Sequence, residues 1–286
     1  MESKGFEPQS SKGHASEAER WNAIAEGWHR WIPMMRAWYA PATELMLDLA
    51  QIAPGSRVLD IAAGDGDQSL AAAARVGQSG YVLAIDRANK ILAIAKRSAR
   101  EANLPNVETR LMNGENLELP DASFDAVICR FALMYFNHPV QGLQGMKRVL
   151  KPGGRVSVVV YGENGSPEFS LALSTVRRWV GLLDQESQSA AHSLGTPGVL
   201  EQTFATAGFR EVEVHALTLP VRMASATECV HYLQNTSPTL RELLLPFSPE
   251  ARKDAWQAVE KALSEFEGPM GFEVQHRVLV AAGSAP

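Results

Sequence analysis

From Arg57 onward the chain alternates short apolar runs with stretches patterned at helical spacing. VLDIA (58–62), YVLAI (81–85), VETRL (107–111), FDAVIC (124–129) and RVSVVVY (155–161) read as strands, because aliphatic and β-branched residues cluster there between turn residues. Residues 67–76, 88–102 and 140–150 read as helices. The second carries Ile91, Leu92 and Ala95 on one face, and the third Val140, Leu143, Met146 and Leu150. Strands alternating with helices predict βαβ units and a parallel sheet. Gly153 and Gly154 after Pro152 make the turn into the fifth strand.

Upstream, Ser16 and Glu19 form a capping-box pattern ahead of Trp21, Ile24, Ala25 and Trp28, which predicts a helix. Pro33 and Pro41 each precede further helical pattern. Pro41 reads as the first-turn residue of a separate helix carrying Leu45, Met46 and Leu49. Residues 163–202 lose the strand rhythm, after which AGFREVEVHALTLP (207–220) and EVQHRVLVAAG (273–283) each read as a strand, with helices between them. The expected architecture is α/β: a Rossmann-like, mostly parallel, seven-stranded sheet flanked by helices, with a helical N-terminal cover and a helical insertion. Its parts are a disordered tail (1–15), the cover (16–54), a ligand-binding core (55–162), and a substrate-selecting lid with the strands that complete the sheet (163–286).

An apolar fraction of 45% and a charged fraction of 21% place the chain among ordinary globular proteins. The net charge of −5, with Lys and Arg scattered, argues against a nucleic-acid partner. No run approaches the ~20 apolar residues of a membrane span, and the N-terminus lacks a secretory apolar core. A cytoplasmic monomer or homodimer acting on a small molecule is the expectation. Cys129 and Cys229 stand far apart, so neither a disulfide framework nor a metal site is expected.

The chemistry concentrates in VLDIAAGDGD (58–67), an apolar strand followed by small residues at Ala62, Ala63, Gly64 and Gly66 and then a helix. Small residues admit a ligand close to the backbone, and the N–H groups of a helix start favour an anionic group. Ser69 stands where the dinucleotide fingerprint has its third glycine, and no GK[ST] of a P-loop follows. The next strand ends at Asp86, where an acidic side chain can accept hydrogen bonds from ribose hydroxyls. Asp60 read alone is a turn carboxylate and Asp86 read alone is an N-cap. Together, in consecutive βα units, they read as a nucleoside cradle.

VLDIAAGDGD, AID (84–86), MNGENLELPDASFDAV and MKRVLKPGGRVSV, in this order, resemble the class I S-adenosylmethionine-dependent methyltransferases, above all the branch of ubiquinone and menaquinone biosynthesis. The resemblance covers residues 55–162 closely. It implies S-adenosylmethionine as cofactor and S-adenosylhomocysteine as product. It places Ala62, Gly64 and Gly66 under the methionine part, Asp60 near the amino group, Asp86 on the ribose and Arg87 beside the adenine. Asn113, Gly114 and Glu115 stand where the family has Asp-Ala-Glu, with the first side chain and the following amide contacting adenine. Arg130 reaches the cofactor through its carbonyl.

The resemblance further implies that N-terminal helices cover the cofactor, so Trp28 or Tyr39 is expected to face the sulfonium or the substrate, although aromatic clusters usually serve as core. For an acceptor bearing a hydroxyl, His138 or Glu163 is the candidate base, whereas His138 read alone is a turn residue before a helix. Segments outside the sheet hold Trp179, Phe204, Tyr232, Leu233, Leu243 and Leu244, which favours an apolar or aromatic acceptor. Competing readings are a protein that binds the cofactor without methyl transfer or for another reaction, and a nicotinamide-dependent oxidoreductase.

Overall fold

In the computed structural model, which describes residues 16–182 and 193–286, one sheet organises the chain. Its strands are β1 (Arg57–Ile61), β2 (Tyr81–Asp86), β3 (Val107–Leu111), β4 (Phe124–Arg130), β5 (Leu150–Tyr161), β6 (Arg210–Met223), the two-residue β7 (Glu267–Gly268) and β8 (Gly271–Ser284). The order is β3-β2-β1-β4-β5-β8-β6, with β7 pairing beyond this path on β8. The first five strands are parallel, and β8 runs antiparallel between β5 and β6. The expected tail (1–15) lies outside the described residues.

The order of strands follows from their composition. β1, β2 and β4 are apolar on both faces and nearly wholly buried, as central parallel strands covered by helices must be. β3 carries Glu108 and Arg110 and takes the edge. The crossover helices are α3 (Asp67–Val76), α4 (Asn89–Glu101) and α5 (Pro139–Val149). Because β2 and β3 lie on one side of β1 and β4 on the other, the chain reverses direction between β1 and β4. That reversal opens a crevice at their carboxyl ends.

Before the sheet come α1 (Glu17–Asn22), with the expected capping box at Ser16 and Glu19, and α2 (Ala25–Leu49). Here one expectation is corrected: Pro41 does not open a helix, and both Pro33 and Pro41 lie inside the single 25-residue α2. Each proline costs an interior helix about 3 kcal/mol. Burial offsets this, since Trp31, Ile32, Met35, Trp38, Tyr39, Ala42, Met46 and Leu47 form one continuous face. A fully buried large apolar side chain contributes about 1.5–3 kcal/mol. Pro152, Gly153 and Gly154 likewise fall within β5, in a bulge where pairing jumps from Phe124↔Leu150 to Ala126↔Arg155 and four residues stand against the single Asp125.

The remaining helices are α6 (Pro167–Trp179), α7 (Val199–Ala207), α8 (Ala226–Thr236), α9 (Pro238–Leu244) and α10 (Pro249–Leu263). Helix α8 packs with α2 against β6, α6 packs against β8, and α10 packs on both α6 and α8. Trp31 and Trp38 both meet the ring of Tyr232 edge-on at 5.5 Å. Tyr232, Leu233, Leu244 and Phe204 are all buried, so these apolar positions outside the parallel strands serve as core. No helix among the described residues is long and apolar enough to cross a membrane.

Candidate cofactor-binding and active site

At the end of β1 the chain makes the turn that the small residues foretell. Ala62, Gly64 and Gly66 all take positive φ, at 54°, 59° and 86°. Gly66 is the N-cap of α3, and a Cβ built there would stand 2.9 Å from the Cβ of Ala95 on α4. At Gly64 the nearest atom to such a Cβ is Ile91 Cγ2 at 3.9 Å, so the absent side chain leaves space. Gly66 thus lets two helices approach, whereas Gly64 has room for a Cβ in ordinary contact.

Two carboxylates hold this turn. Asp86 accepts from the backbone N–H of Gly64 at 3.0 Å and of Ala88 at 2.8 Å. Burial pushes its carboxyl up, against the opposing pull of those two amides. Asp60 is fully buried and accepts from Gln68 Nε2 at 3.2 Å and from the Ser69 hydroxyl. Burial pushes its carboxyl up to about 7. Ser69, the residue that breaks the dinucleotide fingerprint, is therefore what anchors Asp60.

At the tips of β2 and β3, Arg87 donates from Nη2 to Asn113 Oδ1 at 2.8 Å and to Glu115 Oε2 at 3.0 Å. Glu115 Oε1 also accepts from the amides of Asn137, at 2.7 Å, and His138, at 3.3 Å. Burial works to raise the Glu115 carboxyl, but Arg87 and the two amides hold it below the usual carboxylate range. Glu115 is thus a clamp between the end of β3 and the segment entering α5. Gly114 beneath it is buried, with room for no Cβ beside Ile61 and Phe136.

The Arg130 side chain turns under the N-terminal cover, donating to Thr43 Oγ1 at 2.7 Å and Asp67 Oδ2 at 2.9 Å. Arg36 of α2 donates to the other oxygen of Asp67. Trp28 is half-buried, and its indole N–H reaches Asp65 Oδ1 at 3.3 Å. The acidic residues of GDGD thereby pin α2 onto the turn, a role that sequence reasoning did not assign to Asp65, Asp67, Arg36 or Thr43. His138 and Glu163 are both exposed, His138 at the N-cap of α5 and Glu163 two residues past β5.

Tyr39 is buried, and its hydroxyl lies 2.9 Å from Tyr161 Oη and 2.8 Å from His276 Nδ1. His276 Nε2 lies 2.9 Å from Glu168 Oε2. None of Tyr161, His276 and Glu168 was a candidate in the sequence. A signal existed for His276, which shares the inward parity of Val274, Val278 and Val280 along β8. Phe131, at φ 55°, lies between the two phenols, stacked on Tyr161 at 4.6 Å and edge-on to Tyr39 at 4.7 Å.

Residues 58–154 match a family model described as a methyltransferase domain. This segment is a methyltransferase domain. The domain resembles the ubiquinone/menaquinone biosynthesis C-methyltransferase UbiE of Ectopseudomonas mendocina, at 36% identity over 122 residues, which is 42% of this chain and 48% of that protein. The chain spans about half the length of the curated relatives it matches. The class I methyltransferase resemblance read from the sequence is borne out, and so is its quinone-biosynthesis branch.

Solved structures extend the likeness of fold beyond the domain. The Bacillus subtilis YcgJ protein superimposes with a TM-score of 0.57 at 20% identity, covering 86% of this chain and 98% of that one. The [4+2]-cyclase SpnF superimposes with a TM-score of 0.55 at 18% identity, covering 93% and 96%.

Proposed function

We propose that this chain binds S-adenosylmethionine across the turn between β1 and α3 and transfers its methyl group to a small apolar or aromatic molecule. The observation that carries this reading is the Asp86–Gly64 bond. It sets a carboxylate at the tip of β2 beside a positive-φ glycine whose missing side chain leaves space, at the reversal point of the sheet. Asp86 would hold the ribose, Asp60 and the Gly64–Gly66 backbone the methionine part, and Arg87 with Asn113 and Gly114 the adenine end. The Oδ1 of Asn113 already accepts from Arg87 and from the Glu115 amide, so adenine recognition would fall on its remaining amide donors and on the backbone.

When bound, S-adenosylmethionine supplies an electrophilic methyl carbon whose bond to sulfur breaks with its electrons left on sulfur. The chain's own task is to orient an acceptor against that carbon and to exclude water. Half-buried rings along the carboxyl rim of β4 and β5 suit an aromatic acceptor: Trp21, Trp28, Phe131, Tyr135, Phe136 and Tyr161. The quinone-pathway name of the relative agrees with such an acceptor. Because the same fold also occurs in a cyclase, the reaction itself needs a direct test.

Isothermal titration with S-adenosylmethionine, S-adenosylhomocysteine and NADH tests the cofactor, and the mass of an acceptor after incubation tests the transfer. Binding of the first two and a gain of one methyl group are expected. Binding of NADH alone overturns the reading, and cofactor binding with acceptors left unchanged reduces it to a binding protein.

A further inference from the structure

The Tyr161, Tyr39, His276 and Glu168 side chains form one hydrogen-bonded line from the carboxyl end of β5 into the interior. The register of the sheet builds it. Tyr161 is opposite Val278 on β8, so His276, two residues on, projects from the same face just past the end of β5. Their rings meet edge-on at 5.8 Å. Tyr39 comes from the middle of α2, and Glu168 from the first turn of α6, where the helix N-terminus favours a carboxylate. Tyr39, His276 and Glu168 are 3%, 0% and 1% exposed.

We propose that this line is a proton relay in which Tyr161 takes the proton of a hydroxyl-bearing acceptor, such as a phenol or hydroquinone, and His276 stores it against Glu168. This inference rests on the reading of the chain as a methyltransferase and names its acceptor class. The acceptor O–H bond breaks and its proton passes to Tyr161 Oη. The Tyr161 proton moves to Tyr39 Oη, and the Tyr39 proton to His276 Nδ1. The electron pair freed on the acceptor is what attacks the methyl carbon. His276 ends as an imidazolium between Tyr39 and the Glu168 carboxylate.

Three observations favour a relay over a merely satisfied core network. A buried imidazole and carboxylate cost desolvation that apolar residues of the same size would avoid. Tyr161, at the carboxyl end of β5, is half-buried, while Tyr39, His276 and Glu168 are sealed. Phe131, beside both phenols, is held in the left-handed region that bulky residues avoid, and such strain concentrates at working sites.

Burial pushes the phenols of Tyr39 and Tyr161 up, so neither rests as a tyrosinate. The other titratable or charged neighbours these groups feel are Tyr232 and Cys229 of α8, Tyr135 after β4, and Arg130. Tyr161 is the catalytic residue of the line, and Tyr39, His276 and Glu168 position it and receive its proton.

The test is an absorbance titration of the full chain with 4-nitrophenol, whose spectrum reports its ionisation, with S-adenosylhomocysteine present and absent. The wild-type protein should lower the acidity threshold of the bound probe, raising its ionisation constant about tenfold to a hundredfold. Tyr39→Phe, which keeps the ring, and Glu168→Gln, which keeps an acceptor for His276 but removes the charge, should each abolish that gain. Thermal melts identify which variants fold, and either one suffices. No ionisation-linked change in the wild-type protein, or the same change in a folded variant, overturns the relay. Calorimetry with S-adenosylhomocysteine alone reports the cofactor separately, so failure of the methyltransferase reading is not confused with failure of the relay.

Discussion

The carboxylate of Asp86, at the last residue of β2, accepts the backbone N–H of Gly64 at 3.0 Å across the mouth of the turn that follows β1. One oxygen thereby fixes the turn, while the other fixes the entry to α4 through Ala88 at 2.8 Å. The side chain that would bind the ribose is the same one that fixes the turn beside it.

Asp86→Ala should therefore lower stability as well as affinity. It leaves two backbone donors without their acceptor, at about 1–3 kcal/mol for each that water does not reach. Chemical denaturation should show a loss of about 2–4 kcal/mol, and calorimetry a fall of at least tenfold in S-adenosylhomocysteine affinity. Asp86→Asn retains one acceptor oxygen and should fall between. Unchanged stability in Asp86→Ala would mean that the turn holds its shape without the carboxylate.

The two glycines of the turn should separate in their effects. Both substitutions to Ala place a side chain at positive φ, costing about 1–2 kcal/mol. Gly66→Ala also drives a Cβ to 2.9 Å from Ala95, so α4 must shift and the total should reach about 3 kcal/mol. Gly64→Ala meets nothing closer than 3.9 Å, so its folding cost should stay near the backbone term alone. Its loss should appear in cofactor affinity instead. Equal destabilisation of the two variants would contradict the division of labour.

Ala62 occupies the first position of the turn at φ 54°. Ala62→Gly relieves the left-handed penalty of about 1–2 kcal/mol but returns about 0.4–1 kcal/mol of freedom to the unfolded chain. A net gain of about 0.5 kcal/mol in urea unfolding is expected, and a net loss would show that the Ala62 methyl packs usefully.

Much of the sheet was legible because each central strand is a short apolar run bounded by turn residues, and no long-range information is needed to see that. The reading of Pro41 as a helix start failed because proline's local preference lost to a buried face that runs through it, formed against α8 almost two hundred residues away. The turn at 62–66 was legible for the opposite reason, since its small residues signal the turn locally even though Asp86 braces it from the next strand. The relay was not: His276 and Glu168 are 108 positions apart, and their meeting depends on β8 inserting beside β5. His138 and Glu163 drew attention by lying near strand ends in sequence, yet both side chains are exposed.

Asp60 gives the fold a pH dependence whose sign is fixed by burial. Its carboxyl goes from the unfolded value of 3.8 to about 7 in the folded chain, so between those limits the folded state holds a proton that the unfolded state has released. Its stabilising contribution is fully present below about pH 4, declines as the pH rises, and is gone above about pH 7. Each pH unit in that window removes up to about 1.4 kcal/mol, on the order of 4 kcal/mol in all. Asp65 and Asp86 are pushed up by burial too and add to the same slope. Asp60→Asn cannot ionise but still offers an oxygen to Ser69 and Gln68, so it should remove the Asp60 share alone. Urea unfolding at about pH 5, 6, 7 and 8 should show the variant losing less stability than the wild type up to pH 7 and running parallel to it above. Parallel curves throughout would mean that the Ser69 and Gln68 bonds already compensate the buried charge.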